Sequence, residues 1–525
     1  MQRPQGETAA WWYRSGAARA AANGASQGRA RNVIVFLGDG MSLTTVAAAR
    51  ILEGQRKGNP GEENQLAWED FPHTALAKTY NTDSQTPDSA GTMTAIAAGV
   101  KTHMGAIGVA SGKRSDCAAS LTKPLLSWLH LADSAGMAAG IVTTARLTHA
   151  TPAALYAHSP ERNWENDADL PAEAKAAGCR DIAQQLLSAS RFGRGPIVAL
   201  GGGRGEFLST QQRDPEHDRA GQRVDGRNLV AEWQSAHPQG RYVWNTRQLH
   251  DAAGAPALLG LFEYDHMQFE HDRRRDADGE PSLAELTRTA IDVLARQPQG
   301  YVLLVEAARI DHAHHYGNAY RALDETIALS DAVRVALEVT SAEDTLIMVT
   351  ADHSHTLTFA GYPVRGNPML GKVRGTGGED NAGGGYARDQ TGLTYTTLGY
   401  ANGPGHTGAS NQQPEGTKRF LHDPSSAEPR NGRPDLAIED TEHPDYLQES
   451  LVPLKSESHG GDDVGVWALG PGAEAVRGTV EQHVLYHLIV QATPTLRERL
   501  CAAGTCDANG VPVELPDPAR FERGK

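Results

Sequence analysis

"YVLLVEAARIDHAHH", residues 301–315, is a short apolar run that stops at an acid and passes directly into a string of histidines. The apolar part shows no polar alternation, which is the pattern of a strand buried on both faces of a parallel sheet. Four other stretches repeat it: "NVIVFLGDG" (32–40), "GIVTTARLTHATP" (140–152), "PIVALGGGRGEF" (196–207) and "TLIMVTADHSH" (345–355). Amphipathic stretches lie between them, such as "PSLAELTRTAIDVLARQ" (281–297) and "YRALDETIALSDAVRVALEV" (320–339). Strand and helix in alternation predict a doubly wound α/β fold with a mainly parallel central sheet flanked by helices. In such sheets ligands bind outside the carboxyl ends of the strands. Here those ends carry Asp39, His149, Glu306, Asp311 and Asp352.

Metal-competent groups crowd the same places. Asp39 stands in "GDG", Asp352, His353 and His355 in "TADHSH", and His459 in "ESHGGDD". Asp311 and His315 are spaced i, i+4, so a helical turn after the strand puts them on one face. Carboxylates mixed with imidazoles suit zinc, and oxygen-only sets suit magnesium. Any one of these residues is explained by a place on the surface or at a cap. Acids converging on one sheet edge repel one another unless cations sit between them.

"TPDSAGTMTAIAAGV" (86–100) reads as a helix start, with Pro87 and Asp88 at the first turn or cap. Ser89 is then either a cap or a nucleophile aimed at phosphate, where backbone N–H groups and the helix dipole favour an anion.

The chain has 525 residues and a net charge of −15, with no basic block, which argues against nucleic acid and anionic membranes as partners. No apolar run is long enough to span a bilayer, and neither terminus has the form of a signal peptide or a lipid-anchor tail. Four cysteines, Cys117, Cys179, Cys501 and Cys506, lean towards two disulfides and an oxidising compartment, so the expectation is a mature periplasmic or secreted protein without a membrane anchor. Residues 362–450 are glycine-rich, then charged and proline-rich, and read as an inserted subdomain. The expected divisions are 1–30 as an N-terminal arm, 31–361 and 451–525 as the two parts of the α/β domain with a C-terminal tail, and 362–450 as the insert.

Six motifs, "VIVFLGDGMS", "TPDSAGTMTA", "THATPAALYAH", "VEAARIDHAHH", "TADHSH" and "ESHGGDDV", occur in the order found in alkaline phosphatases. The chain resembles that family from about residue 30 to 500, the animal tissue type most closely. The resemblance implies hydrolysis of small phosphate monoesters with Ser89 as nucleophile and Arg162, in "AHSPERN", clamping phosphate. It implies one zinc on Asp311, His315 and His459, and a second on Asp39, Asp352 and His353 beside Ser89. It implies magnesium on Asp39, Thr151 and Glu306. His149 and His312 match the animal-type pattern as supporting residues, and His314 and His355 are expected outside the ligand set.

The resemblance also implies a calcium site of Glu216, the Phe262 carbonyl, Glu263 and Glu280, with Glu280 where the family usually has aspartate. It implies the pairings Cys117–Cys179 and Cys501–Cys506, a homodimer onto whose partner the N-terminal arm packs, and a crown-like role for the insert. The competing readings are a phosphodiesterase or phosphoglycerate mutase of the same superfamily, and a non-catalytic phosphate- or metal-binding protein. The diesterases use threonine at the nucleophile position, and a dead member should have lost Ser89, Arg162 or a zinc ligand.

Overall fold

The five apolar runs become consecutive neighbours in one sheet, in the order Thr345–Ala351, Asn32–Gly38, Tyr301–Ala307, Ala138–Arg146, Val198–Gly202. The computed structural model describes residues 7–110, 112–375, 385–406, 417–420 and 433–523. Leu258–Leu261 and Arg241–Val243 extend one side of the sheet; Val464–Leu469, His73–Lys78 and Gly478–Glu481 extend the other, for ten strands in all. Val464–Leu469 runs antiparallel to both neighbours, and the other pairings are parallel. The central strands are buried along their length, as their unbroken apolar cores require.

Register places the site. Gly38 pairs with Ala307 on one side and Ala351 on the other, so Asp39 and Asp352 leave the sheet together, two residues past the level at which Glu306 pairs with Leu37. The flanking helices begin and end on local signals. Leu283–Leu294 opens with a Ser282/Glu285 capping box, and Ala319–Val339 with the Asn318 side chain accepting from the Arg321 N–H at 2.8 Å.

Within the predicted insert, Leu398–Gly403 joins Leu357–Phe359 and Ser450–Pro453 in a separate three-stranded sheet. Much of the glycine-rich and charged sequence there, 376–384, 407–416 and 421–432, lies outside the described residues. The predicted arm contains the helix Ala9–Ala22, which buries Tyr13 against Tyr486 and His487 of the chain's own helix Val484–Ala492. Gly16 allows that approach, since a Cβ there would lie 2.6 Å from the His487 ring. Both predicted disulfides are present, Cys117–Cys179 closing a span of 62 residues and Cys501–Cys506 one of 5.

Three histidines remote from the strand ends are packed as apolar groups. His130 stacks on Phe192 with centroids 4.0 Å apart, His483 meets Trp12, and His487 meets Tyr13. Burial pushes all three below the ordinary imidazole range, His487 to about 3. In the unfolded chain they titrate near pH 6.5. The folded state therefore binds fewer protons, and its stability is fully present above about pH 6.5 and falls as pH drops below it. His487 by itself should remove about 1.4 kcal/mol per pH unit between roughly pH 6 and 4, and His130 and His483 act in the same direction. Urea unfolding across that range checks this, and His487→Gln should flatten the slope by about 1.4 kcal/mol per pH unit. A slope unchanged by that substitution would refute the assignment.

Candidate active site

Ser89 is the first residue of the helix Ser89–Ala98, but it does not cap it. Asp88 does, its Oδ1 accepting from the Gly91 N–H at 3.1 Å. Ser89 is thereby released from capping, and its Oγ lies 3.2 Å from His353 Nε2 in a fully buried setting. The Asp88 carboxylate is held further by Asn81 Nδ2 and the Gly105 N–H, both at 3.0 Å, and by Arg162 Nη1 at 3.2 Å.

Two groups of donors flank the serine. In the first, Asp311 and His315 from the helix Arg309–His315 meet His459, whose segment pairs with Ser354–His355. His459 Nε2 and His315 Nε2 point at each other across 3.2 Å, with Asp311 oxygens at 3.3 and 3.4 Å. The opposite ring nitrogens lie on backbone carbonyls, His315 Nδ1 on Glu457 O at 2.5 Å and His459 Nδ1 on Pro87 O at 2.7 Å. A carbonyl only accepts, so each Nδ1 carries the proton and each Nε2 is left with a free lone pair. Orienting a ligand imidazole this way is the usual second layer of a metal site.

The second group is Asp39, Asp352 and His353. His353 Nε2 lies 3.4 Å from Asp39 and 3.2 Å from Asp352, and its ring stacks on His459 with centroids 3.7 Å apart. Asp352 Oδ1 accepts from the Gly40 and His353 N–H groups at 3.0 and 2.9 Å. Gly40 has φ 68°, and a Cβ there would strike the His355 ring at 2.3 Å, so the "GDG" turn needs glycine at its end. On the other side of Asp39, the ligand atoms of Asp39, Glu306 and His149 lie within 4.8 Å of one another.

These residues fit cations. Both Asp39 oxygens, Glu306 Oε1 and Thr151 Oγ1 are buried with no hydrogen-bond partner among the described residues, although buried polar atoms are normally paired. Burial, reinforced by Asp352, Asp311 and Glu306, pushes the Asp39 carboxyl well above the carboxylate range. Burial likewise pushes Glu306 to about 8, despite the Thr143 hydroxyl donating to it at 2.5 Å. Acids that shun their charged forms in apolar surroundings require compensating positive charge to ionise.

His355 lies within reach of Asp311, His315 and His459, and it and His314 each have other partners. His314 is a core residue tied to Thr45 Oγ1 at 3.0 Å and Tyr400 OH at 2.8 Å. His355 bridges two carboxylates, Asp311 at 2.6 Å and Glu457, through its two ring nitrogens. Burial opposes its charge, but those two acids prevail and raise it to about 10, so it holds Asp311 as an imidazolium. Glu457 is absent from the sequence expectations, although it stands two residues before His459.

Arg162 closes the cleft beside Ser89. Its Nη1 donates to Asp88 and its Nη2 to His149 Nε2 at 3.0 Å, leaving one N–H on each terminal nitrogen for a ligand. His312 accepts at Nδ1 from Arg309 Nη1 at 3.0 Å.

A sequence model described as alkaline phosphatase matches residues 30–495. The chain belongs to the alkaline phosphatase family. It is 42% identical to the tissue-nonspecific alkaline phosphatase of Felis catus over 88% of its length and 83% of the relative's. With that of Homo sapiens it shares 41%, at the same coverages. Among solved structures, the alkaline phosphatase of Thermus thermophilus superposes with TM-score 0.62 at 24% identity, covering 91% of this chain and 97% of the other. That of the Antarctic bacterium TAB5 gives 0.58 at 19%, covering 89% and 99%; both show the shared fold.

In this alkaline phosphatase family member the expected calcium residues are only partly gathered. Glu216 and Glu263 meet, but the third carboxylate within 4.8 Å of both is Asp276, which the sequence motifs do not single out. Glu280 borders this group, near enough to feel the charges of Glu263 and Asp276, and both of its oxygens accept from the Gln268 N–H at 3.0 and 3.1 Å. Glu216 is ion-paired with Arg204, and Glu263 accepts from Gln268 Nε2 at 2.7 Å. Phe262 follows directly on the strand Leu258–Leu261, next to Glu263.

Proposed function

We propose that this phosphomonoester hydrolase works by double displacement on Ser89. The support is one juxtaposition: a buried serine hydroxyl freed from capping, between two sets of metal-competent groups and beside an arginine with N–H groups to spare. Asp311, His315 and His459 would hold one zinc, Asp39, Asp352 and His353 a second, and Asp39, Thr151 and Glu306 a magnesium. When bound, these cations supply Lewis acidity that lowers the proton affinity of the attacking hydroxyl and neutralises charge on the phosphoryl oxygens. Glu216 and Glu263 would hold a calcium.

The chain's own residues do the rest. Arg162 takes two phosphate oxygens with its planar fork, while Asp88 and His149 fix the plane of that fork. Ser89 Oγ attacks phosphorus opposite the ester oxygen, the P–O ester bond breaks, and the alcohol leaves with a proton. Water then attacks the phosphoserine from the vacated side, and inorganic phosphate departs as Ser89 regains its proton. The rate with an aryl phosphate monoester should exceed that with the corresponding diester by orders of magnitude. Equal rates would favour a diesterase. Two disulfides support export to an oxidising compartment. A homodimer completes the reading, and sedimentation checks it.

Arg162→Ala should lower kcat/KM and weaken inhibition by phosphate about 10–150-fold, the equivalent of about 1.5–3 kcal/mol for a charge-assisted pair. Zinc content should stay unchanged, because the guanidinium lies on an acid and an imidazole that are not zinc ligands in this reading. Loss of zinc in the variant would overturn that placement.

A further inference from the structure

His266 belongs to none of the motifs above, yet it packs against His149 and His312. It follows Asp265 in the loop after the strand Leu258–Leu261, and its ring forms a triangle with those of His149 and His312. Centroids are 4.2 Å apart for His266–His312, 5.3 Å for His149–His266 and 5.5 Å for His149–His312. The His149 contact is edge-to-face, with planes at 83°.

His266 is itself fixed from behind. Its Nε2 accepts from Arg146 Nη1 at 2.7 Å, which leaves the proton of the neutral ring on Nδ1. Arg146 is in turn anchored by a two-point pair with Glu165, at 2.8 and 2.6 Å, and by Asp265 at 2.5 Å. A rigid chain therefore runs from Glu165 and Asp265 through Arg146 to His266, and by ring packing to His149. His149 is the last link, because its Nε2 receives the Nη2–H of Arg162.

We propose that His266 is a positioning residue for the phosphate clamp. Its ring holds the His149 ring at the angle that receives Arg162, and so sets the plane of the guanidinium fork before phosphate arrives. An arginine fork grips two oxygens only when both N–H vectors are aligned, so a tilted His149 costs phosphate affinity even though His266 touches no phosphate. The inference rests on the reading of Arg162 as the clamp.

The test is the inhibition constant of inorganic phosphate, with KM and kcat for an aryl phosphate, in His266→Ala and His266→Phe. His266→Ala should raise the phosphate inhibition constant and KM about tenfold, with kcat changed less than about threefold and metal content unchanged. His266→Phe keeps a flat ring in the triangle and should recover most of the affinity. An unchanged inhibition constant in His266→Ala would overturn the proposal, as would a phenylalanine variant no better than alanine. So would a defect that appears only as lost metal and lost thermal stability. Should Arg162→Ala leave phosphate inhibition intact, the clamp reading itself fails. Should only His266→Ala do so, the clamp stands and this inference falls.

Discussion

Stripped of divalent cations, the protein should lose phosphatase activity by a factor of about 10³ or more, and zinc with magnesium should restore it. The reason lies in the acids. Asp39, Asp311, Asp352 and Glu306 meet in a fully buried space, and both Asp39 oxygens find no donor there. Without cations, burial pushes the carboxyls of Asp39, Asp352 and Glu306 above the ordinary carboxylate range, Glu306 to about 8. A protonated site neither lowers the proton affinity of Ser89 nor compensates charge on a phosphoryl group. Reconstitution must therefore expel protons, and calorimetry in buffers of different ionisation enthalpy should register their release. Glu306, poised near 8, should contribute at neutral pH. Full activity in protein shown by elemental analysis to be metal-free would end the proposed mechanism.

Ser89→Ala should abolish the phosphoserine and lower kcat by about 10³-fold or more, since the covalent route divides one difficult displacement into two easier ones. Structural damage should be small. Ser89 is buried, but its hydroxyl is not the helix cap, and Asp88 keeps that role through the Gly91 N–H. Asp39, Asp352 and His353 remain in place, so zinc content should be retained. Residual hydrolysis is expected, because Arg162 still orients phosphate for direct attack by water. In the unaltered protein, mild acid should slow hydrolysis of the intermediate more than its formation, because the second nucleophile is a water that must lose a proton. Phosphoenzyme should then accumulate, and amino alcohols should compete with water for the phosphoryl group. Mass spectrometry of acid-quenched protein locates the phosphate directly. Phosphate on another residue, or none under any condition in active enzyme, would return Ser89 to a purely structural role.

The sheet and the acids at its edge were legible in the chain because both are local properties. An unbroken apolar run of strand length has one stable place, between two helical layers, and whatever follows it emerges at the carboxyl edge. Asp39, Glu306 and Asp352 follow from that alone, without any knowledge of their partners. The disulfide pairing followed only from the family resemblance. The helix at Ser89 was local as well, but its cap was not resolved by composition, since Asp88 and Ser89 are both good capping residues. Three-dimensional packing chose Asp88 and left the serine hydroxyl free.

Roles among neighbours in sequence were beyond local reading altogether. His312, His314 and His315 are nearly consecutive, yet one contacts Arg309, one is locked in the core by Thr45 and Tyr400, and one faces His459. A helix spaces them by about 100° per residue, but which direction meets metal, core or cleft depends on segments far away in sequence. The same holds for Glu457 on His355, Arg162 on His149, and Asp276 beside Glu216 and Glu263. Sequence alone determined which groups reach the sheet edge, because burial of a strand is enforced by its own side chains. Only the tertiary structure decided which of them share a space, because that is set by how remote segments pack and by hydrogen bonds that fix each ring's tautomer and tilt.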